Sequence, residues 1–197
     1  MLKKSLFIMM LCLAPFSAYS QVDLSGSLGL GSDYVWRGVS QNNGDPALSA
    51  GLELNTNGFY VGAWASQVDY GDDASVEYDF YGGFSSSITD LVSIDVGLIQ
   101  YNFDGDDNAS VEEVYVGGSI GIFGATYYRD LDNGDNEFVN ITVDVINREG
   151  WNLGLEHGET RGGADYQALN ISKDFDKVSL LAHLGSEESV IGLSYNF

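Results

Sequence analysis

The chain has 197 residues, of which 29 are acidic and eight are basic, giving a formal net charge of -21. A surface of that sign repels phosphate backbones, so nucleic acid is excluded as an expected partner. The single cysteine cannot form an internal disulfide, so packing and hydrogen bonds must hold the fold together.

The first twenty residues have the features of a secretory signal. Two lysines precede an apolar run, and small residues lie just before Gln21. The run is shorter than the roughly 20 apolar residues that a membrane helix needs. We therefore predict that residues 1–20 are cleaved, leaving residues 21–197 as one domain without Cys12. That domain has six basic and 29 acidic residues, a formal charge of -23.

Apolar and polar residues then alternate with a period of two. In "NITVDVI", Ile141, Val143 and Val145 share one face while Thr142 and Asp144 share the other. This period is typical of β-strands, and most runs approach the roughly 9 to 11 residues that a tilted strand needs to cross a bilayer. The alternation predicts about twelve strands, near residues 22–36, 46–55, 58–67, 75–85, 91–102, 111–120, 122–130, 137–146, 150–159, 165–174, 177–185 and 188–197.

The first of these runs ends in the unusual stretch "SDYVWRGVSQ". Tyr34 and Trp36 keep the apolar parity of the strand, and tyrosine and tryptophan favour membrane interfaces. We therefore expect both rings at the outer interface of a bilayer. Arg37 has the opposite parity, which predicts that it faces inward among carboxylates.

The connections between predicted strands fall into two classes. Those after even-numbered strands are short, such as "TNG" and "NREG", whereas most of the others are long and acidic, such as "DYGDDA" and "DLDNGDN". The connection at residues 186–188 is a short exception. This asymmetry is typical of bacterial outer-membrane barrels with both termini in the periplasm.

Alternation alone also fits a secreted soluble β-protein with its apolar face turned inward. The polar face carries mid-strand acids such as Glu53 and Asp144 among glycines and tyrosines, as a wet lumen would. The fold class that we predict is therefore all-β, a transmembrane antiparallel up-and-down β-barrel of about 12 strands in the bacterial outer membrane.

Several stretches resemble the TorF family, a proteobacterial group of porin-like proteins formerly described as of unknown function. They are "SDYVWRGVSQ", "PALSAGLEL", "GFYVGAWASQVDY" and "EYDFYGGF". The match is densest over residues 25–85. Phe197, with Tyr195 and Leu193 on the same face, is similar to the carboxy-terminal signal by which the barrel assembly machinery recognises its substrates. The resemblance implies an outer-membrane barrel with a transport role, and it supplies no catalytic residues.

The polar parity predicts which side chains line a lumen. Carboxylate rings favour cations in pores, and the predicted lining is rich in acids and tyrosines. The pore-lining candidates are Arg37, Glu53, Tyr60, Trp64, Glu77, Asp79, Tyr81, Asp95, Tyr101, Glu113, Tyr115, Tyr128, Asp144 and Glu156.

Clustered acids in two outer loops are weak candidates for a metal site, since Ca²⁺ prefers oxygen ligands. A solvated acidic surface is the interpretation that we favour. The candidate ligands are Asp104, Asp106, Asp130, Asp132 and Asp135. Catalysis is not expected, because nothing near His157 or His183 reads as a nucleophile with a base and an orienting carboxylate.

The sequence thus predicts a porin-like channel for passive diffusion of small solutes or ions, biased toward cations. A non-conducting structural or adhesive barrel, whose acidic loops bind a partner or divalent ions, is the alternative. We expect membrane lipid and lipopolysaccharide around the exterior, recognition by the assembly machinery through Phe197, and no cofactor. The sequence predicts no particular oligomeric state.

Overall fold

The computed structural model describes residues 22–105, 110–134 and 136–197. The predicted signal segment and Gln21 lie outside the described residues. Within the described part of the chain, no helix has the length and apolarity to cross a membrane.

The described residues form fourteen strands. Twelve of them close into one barrel, in which each strand pairs antiparallel with its neighbours, and β2 and β3 form a separate two-stranded sheet. The strands are β1 (Asp23–Gly31), β2 (Val35–Trp36), β3 (Val39–Ser40), β4 (Ala47–Thr56), β5 (Phe59–Gln67), β6 (Val76–Thr89), β7 (Val92–Phe103), β8 (Ser110–Ile120), β9 (Phe123–Asp130), β10 (Glu137–Arg148), β11 (Trp151–Thr160), β12 (Asp165–Phe175), β13 (Val178–Gly185) and β14 (Ser189–Asn196).

The first and last strands close the barrel. β1 pairs with β4 on one side and with β14 on the other. Past the end of β14, the backbone of Phe197 exchanges hydrogen bonds of 2.9 and 3.0 Å with Gly26. The Phe197 ring covers the space that a side chain at position 26 would fill. The predicted fold class, a twelve-stranded antiparallel up-and-down barrel, is confirmed.

Tight turns connect the strands at one end. Asn57 and Gly58 both have positive φ, 51° and 84°, as do Glu149 and Gly150, at 54° and 76°. Two consecutive residues with positive φ make the type I′ turn that fits the twist of a two-residue hairpin. These turns are the "TNG" and "NREG" connections, so the short and long loops lie at opposite ends of the barrel.

The large apolar side chains point outward. Leu52 is 53% exposed and Leu193 is 44% exposed, whereas no described side chain is fully buried. The buried apolar cluster of Phe138, Tyr166 and Ala168 is small. Most of the apolar face instead surrounds the barrel, as it would in hydrocarbon. Other exposed members of this face are Leu28, Val61, Phe80, Leu98, Val116, Ile141, Leu155, Leu180 and Ile191.

The predicted first strand, residues 22–36, is too long. β1 ends at Gly31, and the chain then turns into the barrel before it returns to the wall at β4. The other predicted strands agree with the observed ones within a few residues, and the largest difference is the extension of β6 to Thr89.

Candidate functional site

The interior of the barrel contains the predicted pore-lining side chains. The Tyr60 hydroxyl on β5 donates to Asp95 Oδ1 on β7 at 2.6 Å and contacts the Tyr115 hydroxyl on β8. Tyr81 on β6 donates to Glu53 on β4 at 3.2 Å. Because these strands are not neighbours in the barrel, the contacts must cross its interior.

One side of the interior is filled by aromatic rings from β5 to β9. Tyr60 and Tyr81 have ring centroids 6.3 Å apart, and those of Tyr115 and Tyr128 are 5.5 Å apart. Three of these tyrosines lie opposite glycines on the adjacent strand, so each ring lies over bare backbone. The rings reduce the free cross-section on this side.

A short hairpin enters the lumen from the outer end. It comprises residues 35–40, formed by β2, β3 and the turn at Arg37 and Gly38, and is called the inner hairpin below. Both turn residues have positive φ, 50° and 79°, which again gives a type I′ turn. Each strand of the hairpin has only two residues, so contacts with the barrel wall must hold it in place.

Tyr34 and Trp36 do not lie at the outer interface, and that prediction is wrong. The Tyr34 ring packs against Trp64 of β5 with centroids 5.1 Å apart, and Trp36 packs against Tyr101 of β7 at 5.6 Å. Both rings lie inside the barrel because the chain turns inward after Gly31, so strand parity no longer applies to them.

Arg37 reaches the far wall of the barrel. Its Nη1 and Nη2 donate to the two carboxylate oxygens of Glu113 on β8, at 2.9 and 2.7 Å. The guanidinium carbon lies 4.2 Å from the Phe138 ring centroid on β10 and 5.0 Å from that of Tyr128 on β9. In the cyclic strand order, β9 lies directly opposite β1, where the segment that carries Arg37 begins. The hairpin therefore crosses the lumen.

Further carboxylates surround the hairpin. Glu77 and Asp79 on β6 are only 3% and 5% exposed. Tyr34 contacts Glu77 with 3.4 Å between the hydroxyl and carboxylate oxygens, and Tyr101 donates to Glu113 at 3.2 Å. Asp79 Oδ1 has no hydrogen-bond partner among the described residues. The space around the inner hairpin thus holds three carboxylates, those of Glu77, Asp79 and Glu113, beside one arginine.

Glu156 on β11 is the centre of a polar network on the side of the barrel opposite β6. It accepts hydrogen bonds from Asn140 and Asn170, both at 2.7 Å, and from the Tyr166 hydroxyl at 2.6 Å. The amide oxygen of Asn170 in turn accepts from His183 Nδ1 at 2.7 Å. Donors therefore surround this carboxylate, which makes it part of a structural network rather than a free acid.

A cavity of about 700 Å³ runs beside the inner hairpin along β10 to β14, β1 and the outer part of β4. Asp144 is one of its acidic residues, and Tyr34 and Trp64 lie on its edge. Most of the other polar lining residues are uncharged: Ser27, Ser49, Ser66, Thr142, Asn147, Asn152, Asn170, Ser172 and Ser194. Small side chains on this wall leave open the space that tyrosines occupy opposite. We call this lining the open wall.

The interior is strongly acidic. Among the described residues, Arg37 is the one basic side chain with contacts inside the barrel, and it is paired with Glu113. Lys173 on β12 lies outside the lumen, where it donates to the Glu149 carbonyl oxygen at 2.6 Å. Its amine is 5.4 Å from both the Trp151 and Phe175 rings, on the outer rim of the short-turn end.

The candidate metal ligands of the outer loops do not form a cation site in the described part of the chain, where no group of three or more His, Cys, Asp or Glu is placed to hold a metal. Asp104 accepts from the backbone amides of Ser75 and Val76, at 2.6 and 2.7 Å, which lowers the pKa of its carboxyl. Asp130 accepts from two amides of its own loop, and Asp132 contributes one of them. Asp106 and Asp135 lie outside the described residues.

Sequence reasoning did not select several interior residues. Phe138, Asn140, Tyr166 and Asn170 have the same inward parity as the selected acids, so parity could have identified them. The contacts of Phe138 with Arg37, in contrast, depend on the inner hairpin. No signal within β10 predicts them.

Two solved structures similar to this chain are those of porins. The KdgM porin is 12% identical, with a TM-score of 0.64 over 88% of this chain and 99% of that chain. The KdgM porin in complex with disordered oligogalacturonate is 11% identical, with a TM-score of 0.65 over 88% and 98%. At these identities the likeness extends to the fold alone. No curated protein sequence matches significantly.

A family profile matches nearly the whole chain. It covers residues 16–197 and is described as a bacterial protein of unknown function (Gcw_chp). The match includes every barrel strand, so it concerns the whole fold rather than one motif.

Proposed function

The chain belongs to the bacterial family Gcw_chp, and we propose that it forms a narrow channel for passive diffusion of small solutes and ions. The observation that carries this proposal is the 700 Å³ cavity along the open wall, enclosed by a barrel that is apolar outside and polar inside. A closed barrel leaves no unpaired strand edge, so its backbone groups need no water on the lipid side. Water is needed only in the lumen.

The bacterial outer membrane is the proposed location. Outward leucines and valines suit a hydrocarbon band, and Trp151 beside Lys173 suits the interface below it. Lipid and lipopolysaccharide would then contact the exterior. The predicted signal segment would direct export, and Phe197 would serve recognition by the assembly machinery. The TorF resemblance points to the same location.

A preference for cations follows from the interior charges. Seven of the predicted lining residues are acids, and Arg37 neutralises only one of them, Glu113. Low-dielectric walls focus the field of carboxylates on the route, such as that of Asp144, which lowers the barrier for positive ions and raises it for anions. Oligogalacturonate, the ligand named with the similar porin, is a polyanion. For the same reason we do not propose it as a solute of this chain.

Current recordings across planar bilayers test the proposal. In a gradient of KCl, we expect a reversal potential of the sign that potassium permeability produces. A reversal potential of the opposite sign would refute the cation bias, and the absence of conductance at any voltage would refute the channel itself. Heat-dependent migration in gels verifies that the inserted protein is folded.

The inner hairpin favours one alternative, a non-conducting barrel whose loops bind a partner. Because the hairpin crosses the lumen, it could close the remaining space to solutes. Swelling of liposomes in small neutral sugars separates the two functions, since only a channel lets the sugar enter, and water then follows the sugar. Swelling equal to that of protein-free liposomes would favour the structural barrel.

A further inference from the structure

We propose that the inner hairpin is the selectivity element of the channel, and that the Arg37–Glu113 ion pair holds it across the lumen. The inference rests on the proposed function and adds which residues set the size limit and the charge preference. The inference is based on contacts of the hairpin with five strands of the wall, namely β7, β8, β9, β10 and β12.

The ion pair differs from an ordinary surface pair. The side chains of Arg37 and Glu113 are only 14% and 4% exposed, and both carboxylate oxygens accept from the guanidinium. Exposed pairs contribute little because water screens them, whereas breaking a buried pair leaves an uncompensated charge. Two parallel bonds also fix the orientation of the arginine. The tip of the hairpin is therefore held firmly at β8.

Aromatic rings enclose the same arginine. Its guanidinium carbon lies 4.2 Å from the Trp36 centroid as well as from that of Phe138. Rings at this distance attract a cation through their electron-rich faces. Two of the three enclosing rings, those of Tyr128 and Phe138, belong to the wall, and the third, that of Trp36, belongs to the hairpin itself. The cation therefore joins the hairpin to the barrel.

The turn allows no bulk at its second residue. Gly38 has a φ of 79°, and a Cβ there would lie 2.9 Å from the Cβ of Tyr166 on β12. The backbone of the tip thus touches a third part of the wall. Contacts at β8, β10 and β12 together place the tip of the hairpin against the part of the wall that faces β1.

The hairpin borders the open route. Asp33, Tyr34 and Val35, at its base, line the cavity that also borders the open wall. Any solute that follows this cavity must pass the hairpin. Removing the arginine charge would leave Glu113 uncompensated, whereas removing the carboxylate would leave the arginine uncompensated, so the two changes must alter ion preference in opposite directions.

Three variants test the charge role. Arg37→Gln should raise the ratio of potassium to chloride permeability, and Glu113→Gln should lower it. The double variant restores the net charge of the wild type, so its ratio should return to the wild-type value, while its conductance should be higher because the hairpin is no longer held. Equal ratios in all three variants and a conducting wild type would overturn the selectivity role and leave the channel proposal intact.

A disulfide tests the hairpin position without any current measurement. Gly38→Cys with Tyr166→Cys, in a Cys12→Ala background, places the two Cβ atoms 2.9 Å apart. Cβ atoms in disulfides are about 3.8 Å apart, so the tip needs to move by only about 1 Å. Copper phenanthroline should oxidise the two thiols to a disulfide in the folded protein. Gly44→Cys with Tyr166→Cys is the control, because position 44 has no atom within 4 Å and should not crosslink.

Failure of Gly38→Cys and Tyr166→Cys to crosslink would overturn the hairpin position and with it this inference. A crosslink combined with a silent wild type and conducting Arg37→Gln would keep the hairpin as the constriction but refute the proposed function of the native chain. If neither the wild type nor any variant conducts, both proposals fail.

Discussion

At the scale of single residues, glycines determine how tyrosines fill the barrel. Gly83 lies opposite Tyr60, Gly62 opposite Tyr81, and Gly97 opposite Tyr115. Each ring uses the space that a side chain on the neighbouring strand would need. A glycine in a strand is otherwise unfavourable, and the covering ring compensates by shielding its backbone.

This pairing predicts different costs for two glycine-to-alanine changes. A methyl group at Gly83 would overlap the Val96 carbonyl oxygen and the Tyr60 hydroxyl, whereas at Gly154 the nearest atom would be the Val143 carbonyl oxygen at 3.6 Å. Overpacking costs about 1–3 kcal/mol, so Gly83→Ala should lower the free energy of unfolding by that amount. Gly154→Ala should be nearly neutral. Urea unfolding in lipid vesicles measures both, and equal stabilities would contradict the packing account.

Parity predicted the inward direction of acids such as Glu53 and Asp144, because a strand offers a side chain only two directions. It failed at Tyr34 and Trp36, where the chain had already left the strand. Gly31, Ser32 and Asp33 are residues that favour turns, so the break had a local signal. The destination of the rings had none, because Trp64 and Tyr101 lie far away in sequence.

At the scale of elements, one carboxylate joins two outer loops. Asp104 follows β7, and it accepts from the Ser75 and Val76 amides that precede and begin β6. The Ser75 hydroxyl donates to its second oxygen at 2.8 Å. The Asp104 carboxylate therefore has a structural role in the loop after β7. Its hydrogen bonds favour the ionised form and so lower the pKa of Asp104.

The lowered pKa of Asp104 determines how pH affects the contact between the two loops. The hydrogen bonds of Asp104 stabilise the folded chain above the unfolded aspartate pKa of about 3.9, and this stabilisation is lost as the pH falls through the lower folded pKa. We expect the Ser75 and Val76 amide resonances to titrate below pH 3.9, and Asp104→Asn to abolish that titration. Titration at the ordinary aspartate value in the wild type would show that the hydrogen bonds do not persist in solution.

The inner hairpin is the element that could least be predicted from the sequence. Its strands have two residues each, too few for alternation to indicate them, and its turn places a non-glycine residue, Arg37, at positive φ. Asparagine, aspartate or glycine is the usual signal for that position. Contacts with distant strands stabilise the turn instead, and these cannot be inferred from residues 35–40 alone.

At the scale of the whole molecule, alternation and loop lengths predicted the closed barrel, because both repeat along the entire chain. The distribution of space inside it could not be predicted. Twelve strands lie between barrels that side chains fill and barrels with wide channels. Tyrosines on β5 to β9 and the inner hairpin fill one side, and serines and asparagines leave the other open. The free route is therefore displaced from the barrel axis.

The central claim is that ions move along the open wall, past the hairpin. Single-channel current through Ser172→Cys, recorded before and after a bulky thiol reagent, tests it most directly, because Ser172 lines the cavity. Ser93→Cys is the matched control, since Ser93 pairs with Ser119 on the filled side. We predict that the reagent blocks most of the current in Ser172→Cys and little of it in Ser93→Cys. Unchanged current through fully labelled Ser172→Cys, or equal block in both variants, would contradict the route.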